Sequence, residues 1–153
     1  MPKIDIDKLP VDARTNYPPP FDRIVVGRER KRLGNAVGLG QFGVNLTTLK
    51  PGAASALRHW HEQEDELVYV LQGEVVLIED DGETVLKPGD AAGFKANSRS
   101  GHHLVNKSKR DVVYLEVGTR AKHERAHYPD ADLMVVRDDK GARYTHKNGE
   151  PYK

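Results

Sequence analysis

The stretch that decides the fold of this chain spans residues 51–66 and reads PGAASALRHWHEQEDE. Within it, His59 and His61 are two residues apart, and in a β-strand residues at that spacing point to the same face. Their imidazoles can therefore meet at one point. Glu66 follows shortly after, and His102 lies on a later predicted strand. Together these four side chains predict a shell of three nitrogens and one oxygen, which suits a divalent transition metal.

The ligand types do not select the metal. Three imidazoles and one carboxylate suit Fe, Mn, Ni, Co, Zn or Cu as divalent ions. On an octahedral metal, four protein ligands leave two positions for water, dioxygen or a bidentate substrate. On a tetrahedral zinc the same four ligands close the shell, which is typical of a structural site.

Composition limits the other classes of function. The chain has 153 residues, which fits one domain, and it has no cysteine, so disulfides, thiolate ligands and cysteine nucleophiles are excluded. Lys plus Arg total 24 and Asp plus Glu total 23, so no strong field favours nucleic acid or a membrane. The N-terminus lacks the apolar stretch of a signal peptide, and no apolar run could cross a bilayer. We expect a soluble, cytoplasmic protein.

The N-terminal part of the chain differs in composition from the rest. Residues 1–40 are predicted to form an extended, irregular arm, because Pro18, Pro19 and Pro20 each restrict the backbone. The basic run at residues 28–32 could suggest nucleic acid, but it is short and has no interleaved aromatic residue. A solvated turn or short helix is favoured there.

From residue 41 onward the pattern is typical of an all-β fold. Short runs rich in β-branched and aromatic residues alternate with Pro-Gly, Asp-Gly and Gly turns, which indicates a sandwich or jelly roll. One run, Leu67–Leu71, is continuously apolar, as expected of a strand buried on both faces. The predicted strands cover residues 42–49, 67–71, 74–79, 83–86, 102–106 and 112–117, and a C-terminal β-hairpin joins residues 134–137 to 142–146.

At this point the residues resemble a known family. Pro51-Gly52, the two histidines, Glu66 and Gly73 fall at the spacing of the first signature of the cupin superfamily. Gly89, His102 and Asn106 match the second signature, although the loop between them is longer and more basic than usual. The resemblance covers residues 42–118. It implies a double-stranded β-helix at residues 41–120 with one divalent metal inside the barrel, and a C-terminal extension at residues 121–153 that packs on or beside it.

Two adjacent histidines compete for the fourth ligand position. Strand alternation places His102 on one face with Asn106, and His103 on the other. His102 is therefore assigned to the metal, and His103 either supports the site from behind or faces solvent.

Other residues are candidates to line the pocket. Phe94 and Arg99 lie in the segment before His102, and Asn45 and Tyr114 lie on predicted strands. Arg99, with Lys95, could attract an anionic small molecule such as a carboxylate or phosphate, although a solvated loop is the simpler interpretation.

A predicted apolar stripe bears on assembly. If Val68 and Val70 face the barrel interior, then Leu67, Tyr69 and Leu71 face outward and need a cover. The terminal arms or a second subunit could supply it. A two-fold homodimer is the commonest solution, and cupins often use it.

Two functions remain open. The resemblance allows a metal-dependent enzyme of the dioxygenase or isomerase type that acts on a small molecule. The chain is similar to a group of small, mostly uncharacterised bacterial cupins, some of which are labelled sugar-phosphate isomerases. The alternative is a non-catalytic cupin that binds a metal or small ligand as a sensor or storage module.

Overall fold

Antiparallel β-sheets build the protein, and the computed structural model describes residues 2–153. One wall of the barrel is a five-stranded sheet in the order β1-β2-β9-β4-β7. Its strands are β1 (Arg28–Arg32), β2 (Phe42–Leu49), β4 (Glu66–Gln72), β7 (Ala91–Phe94) and β9 (Val112–Thr119).

Two smaller sheets form the opposite wall. One has the order β6-β5-β8 and the other the order β12-β11-β10-β3. The strands of the first are β5 (Val75–Glu79), β6 (Gly82–Leu86) and β8 (His103–Val105). Those of the second are β3 (Trp60–His61), β10 (Glu124–His127), β11 (Met134–Asp138) and β12 (Gly141–Thr145). The result is the predicted jelly roll with a C-terminal hairpin, β11–β12.

Helices are few and short. The α-helix α1 spans Leu33–Ala36, and single 3₁₀ turns occur at Ile6–Lys8 and Phe21–Arg23. Within residues 2–153, no helix is long and apolar enough to cross a membrane.

The core has two parts. The larger lies between the barrel walls and includes Leu49, Val70, Val75 and Val112, all fully buried. The smaller lies under the C-terminal hairpin, where Tyr17 of the N-terminal segment packs edge-on against Tyr128 and Tyr144 with ring centroids 5.8 and 5.5 Å apart. The two terminal segments therefore share one core, and the C-terminal hairpin joins the barrel through the pairing of β10 with β3.

The prediction of a solvated turn or short helix at residues 28–32 was wrong. These residues form β1, which pairs along its whole length with β2. The alternation of a strand places Arg28, Arg30 and Arg32 on the inner face, while Glu29 and Lys31 point outward. A basic strand is tolerated here because it lies at the edge of the sheet and its three arginines face a polar cavity rather than the apolar core.

Strand β4 is buried on one face only, not on both. Val68 and Val70 are buried, whereas Leu67, Tyr69 and Leu71 are 46%, 41% and 44% exposed. Within residues 2–153, the terminal segments leave this stripe exposed. The homodimer stays a prediction, and the exposed stripe is the surface on which it depends.

Asn106 is a fully buried polar residue that joins three segments. Its Nδ2 donates to the carbonyl oxygens of Leu49 (2.8 Å) and Arg110 (2.7 Å), and its Oδ1 accepts from the backbone N–H (3.0 Å) and hydroxyl (2.7 Å) of Ser108. We expect Asn106→Ala to lower the free energy of unfolding by about 2 kcal/mol, because buried backbone groups lose their partners. Urea unfolding would measure the loss. Asn148→Ala, in an exposed turn, is the control, and an equal loss in both variants would contradict the prediction.

Candidate metal centre

Glu66 stands at the start of β4, where the inner face of the sheet has room for a polar group. Its register partners are Gly118 on β9 and Phe94 on β7. Because Gly118 has no side chain, the carboxylate is free to point into the barrel rather than pack against a neighbour. Val68 and Val70, further along the same face, are buried in the core.

The three predicted histidine ligands surround that carboxylate. Nε2 of His102 lies 2.7 Å from Glu66 Oε2, and Nε2 of His61 lies 3.0 Å from Glu66 Oε1. Nε2 of His59 lies 3.8 Å from Oε2. An isolated β-bridge between His59 and His102 holds those two backbones side by side, and β3 carries His61. The fold thus brings His102 to three side chains that lie close together much earlier in the chain.

The spacing of His59, His61 and Glu66 fits one divalent metal. Donor atoms of His59, His61 and Glu66 all lie within 4.8 Å of one another, close to the separation of about 4.2 Å for opposite donors on one ion. His102 contacts Glu66 directly. The buried Nδ1 atoms of His61 and His102 have no hydrogen-bond partner within residues 2–153, so the Nε2 atoms are the ones turned toward the common point.

The charges of the cluster are coupled. Burial alone would raise the pKa of Glu66, but the surrounding rings of His102, His59 and His61 hold that pKa well below its ordinary value. Burial lowers the pKa of His102. Burial also acts to lower the pKa of His61, but Glu66 and the nearby Glu64 and Glu124 raise it overall. An ionised carboxylate surrounded by imidazoles is an arrangement that favours a bound cation, which would take the place of the protons on the rings.

Two further carboxylates lie behind His61. Its Nδ1 is 3.7 Å from Glu64 Oε1 and 3.9 Å from Glu124 Oε2. Glu124 is almost fully buried and accepts backbone N–H groups of Glu62, Gln63 and Arg125. At these distances neither carboxylate accepts a hydrogen bond from the ring, but both place negative charge behind His61, and the sequence pattern did not identify either of them.

A cavity of about 710 Å³ opens from the histidine cluster. Of the predicted pocket residues, Asn45, Phe94 and Tyr114 line it. Phe94 stacks flat on the ring of His102, with centroids 3.6 Å apart, and Asn45 donates to Glu116 at 3.0 Å. Tyr114 is fully buried.

Two predicted residues lie elsewhere. Arg99 lines a separate, outer cavity of about 540 Å³ beside Trp60, so it does not supply positive charge to the main cavity. His103 faces away from Glu66, and its Nδ1 lies 2.8 Å from the carbonyl oxygen of Ala56. The long loop before His102 turns outward at Asn97 and Arg99, both of which adopt positive φ, and this explains why a position close in sequence is remote in space.

The positive charge of the main cavity comes instead from arginines that the sequence interpretation placed in the arm, the extension or the barrel edge. Six arginines and four carboxylates line the cavity. The arginines are Arg14, Arg28, Arg30, Arg32, Arg120 and Arg137. No apolar–polar alternation marks Arg28, Arg30 and Arg32 in the sequence, because all five residues 28–32 are charged.

Comparison with known proteins agrees with this architecture. Residues 45–118 match the Cupin domain family. A solved sugar phosphate isomerase of the cupin superfamily from Silicibacter pomeroyi is 44% identical with a TM-score of 0.95, over 99% of this chain and 97% of that chain. A provisionally named sugar phosphate isomerase from Acidithiobacillus ferrooxidans is 29% identical with a TM-score of 0.75, over 82% and 80%.

A third solved structure, the polyketide cyclase RemF from Streptomyces resistomycificus, shares only the fold. It is 18% identical with a TM-score of 0.65, over 78% of this chain and 79% of that chain. No protein with a curated description matches the sequence. The jelly roll, the two signatures in register and the 44% identity over 99% of the chain lead to one conclusion: this chain belongs to the cupin superfamily.

Proposed function

We propose that this cupin is a metal-dependent isomerase that acts on a small anionic substrate of the sugar phosphate class. The observation that carries the proposal is the position of the cluster of His59, His61, Glu66 and His102, which opens into a cavity where arginines outnumber carboxylates. A polar, cationic cavity suits a phosphorylated polyol better than an apolar substrate. The names of the two relatives that are 44% and 29% identical support the same class.

Different residues of the cavity would bind the metal, shield it from water and transfer a proton. His59, His61, Glu66 and His102 would hold the metal, which when bound supplies a Lewis acid for a carbonyl or hydroxyl oxygen. Phe94, stacked on His102, keeps water from one side of that ligand. Glu116, held by Asn45 at 3.0 Å and by Arg30 at 2.7 Å, faces the cavity and is the candidate to accept and return a proton.

The test is isomerisation followed by NMR in D₂O. Protein loaded in turn with Mn, Fe, Co, Ni, Zn or Cu would be incubated with a panel of aldose and ketose phosphates. We expect interconversion in at least one pair, with exchange of the carbon-bound proton next to the carbonyl group. Consumption of dioxygen by the iron-loaded protein, without isomerisation, would instead support the dioxygenase type.

The non-catalytic alternative has one observation in its favour. Asp12, Arg14, Thr15, Asn16 and Tyr17 of the N-terminal segment line the main cavity, so this segment narrows access to it. A protein that binds sugar phosphates but neither isomerises nor oxidises any member of the panel would have this function.

A further inference from the structure

The inner face of the five-stranded sheet presents its side chains in successive rows. The row nearest the metal candidates contains Glu66 and Gly118, and the next contains Arg32, Asn45 and Glu116. The third row runs across four strands through Arg30, Thr47, Tyr114 and Val70. Rows are two residues apart along a strand, which is about 7 Å.

The third row is unusual for its unsatisfied polar atoms. Five buried side-chain nitrogen or oxygen atoms in residues 2–153 have no hydrogen-bond partner, and three of them belong to this row. They are Nε of Arg30, Oγ1 of Thr47 and the hydroxyl oxygen of Tyr114. Buried polar groups are nearly always hydrogen-bonded, so three in one row point to a group that the row is built to receive.

Arg30 reaches from its own row toward the metal candidates. Its Nε lies 2.7 Å from Glu116 Oε1, although the two atoms do not have the geometry of a hydrogen bond. The guanidinium therefore lies over β9, the strand that neighbours β4, which carries Glu66. The Arg30 side chain remains 21% exposed. Its guanidinium is therefore about one row, roughly 7 Å, from the row of Glu66.

The charges around this row are not balanced by carboxylates. Arg30 is opposite Glu116, Arg32 and Arg14 share Asp12, and Arg137 pairs with Glu64. The remaining two cavity arginines have only neutral oxygen acceptors. Arg28, which is 6% exposed, donates to the carbonyl oxygens of Ser55 and Arg14, and Arg120 donates to Leu39 and Asn35. Burial and the neighbouring charge of Arg30 lower the pKa of Arg28.

We infer that Arg28 and Arg30, with the hydroxyl of Tyr114, form a subsite for the phosphate group of the substrate. The cavity is lined by two more arginines than carboxylates, and a phosphate monoester, which carries nearly two negative charges at neutral pH, matches that excess, whereas one carboxylate would balance only half of it. Guanidinium forks bind such oxyanions through paired hydrogen bonds. The inference deepens the proposed function and rests on it for the role of the metal end, because the guanidinium of Arg30 lies about 7 Å from the row of Glu66 and one small molecule can reach both.

The test is calorimetric titration of metal-stripped protein with inorganic phosphate and with glycerol 2-phosphate. Metal must be absent because phosphate would otherwise bind it directly. We expect Arg30→Gln to weaken phosphate binding by about tenfold or more, the change that loss of a charge-assisted pair gives. Lys31→Gln is the matched control: it removes the same charge from the next residue of β1, which points outward. The affinity of Lys31→Gln for phosphate should stay within about twofold of that of the unsubstituted protein.

Tyr114→Phe provides an independent variant in case Arg30→Gln does not fold. Since the tyrosine hydroxyl has no partner, its removal should leave the melting temperature unchanged or slightly higher. Phosphate affinity should nevertheless fall severalfold. An equal loss in Arg30→Gln and Lys31→Gln, unchanged affinity in Tyr114→Phe, or tighter binding of acetate or succinate than of phosphate would each overturn the subsite. Phosphate binding without isomerisation would preserve the subsite and reject only the catalytic proposal.

Discussion

Glu66→Ala should lower the affinity for a divalent metal at least 100-fold. Glu66 is the only anionic donor in the cluster, and its two oxygens face all three imidazoles at distances of 2.7, 3.0 and 3.8 Å. Without it, three neutral rings would have to hold a dication with no compensating charge in direct contact. A 100-fold loss corresponds to about 2.7 kcal/mol. Calorimetric titration with Mn, Ni and Zn salts would measure it directly.

The melting temperature gives a second readout of the same change. A metal that binds only the folded protein raises the melting temperature, and this rise should largely vanish in Glu66→Ala. Each variant is compared with and without metal, so any effect of the substitution on the free protein is removed. Glu62→Ala is the control: Glu62 also pairs with a histidine, His127 at 2.6 Å, but outside the cluster. A metal-induced rise that survives in Glu66→Ala would show that Glu66 is not a ligand.

Gly73→Ala should destabilise the fold by about 3 kcal/mol or more. Gly73 has a φ of +77°, and an added Cβ would lie 2.5 Å from the carbonyl oxygen of Asp111 and 3.2 Å from Cα of Val112. The positive φ costs about 1 kcal/mol or more for alanine, and the collision adds about 2 kcal/mol, because the obstacle is the backbone entering β9 rather than a movable side chain. At this size, the melting temperature should fall by roughly 10 °C.

Gly89→Ala separates the two causes. Gly89 also has a positive φ, +93°, but nothing lies within 4 Å of an added Cβ. The Gly89→Ala variant should therefore lose only about 1 kcal/mol of unfolding free energy, the part that comes from the positive φ. Thermal and urea unfolding of both variants would measure the difference. If the two substitutions lower the free energy of unfolding equally, the contact between the added Cβ and Asp111 does not contribute to the cost of Gly73→Ala.

Much of the barrel was predictable because its signals are local. Strand β2 begins and ends at the predicted residues, and β4, β5, β6 and β9 lie within one or two residues of their predicted bounds. Alternation of apolar and polar residues and Pro-Gly or Asp-Gly turns depend only on near neighbours. The same alternation predicted that His102 and His103 would face opposite ways, as the structure has them.

Strand β1 shows where local signals end. All five residues 28–32 are charged, so nothing in their composition indicates burial, and only pairing with β2 makes them a strand. Arg99 is the opposite case. It lies near His102 in sequence, but the outward loop places it on a different cavity.

The sequence by itself determined the cupin barrel and the candidate ligands His59, His61, Glu66 and His102, because spacing along a strand dictates which side chains share a face. Only the tertiary structure decided what surrounds them. The basic strand β1 and both terminal segments meet the cluster through contacts between residues far apart in the chain. Such contacts depend on which strands pair and which loops turn outward, and no pattern among neighbouring residues specifies that.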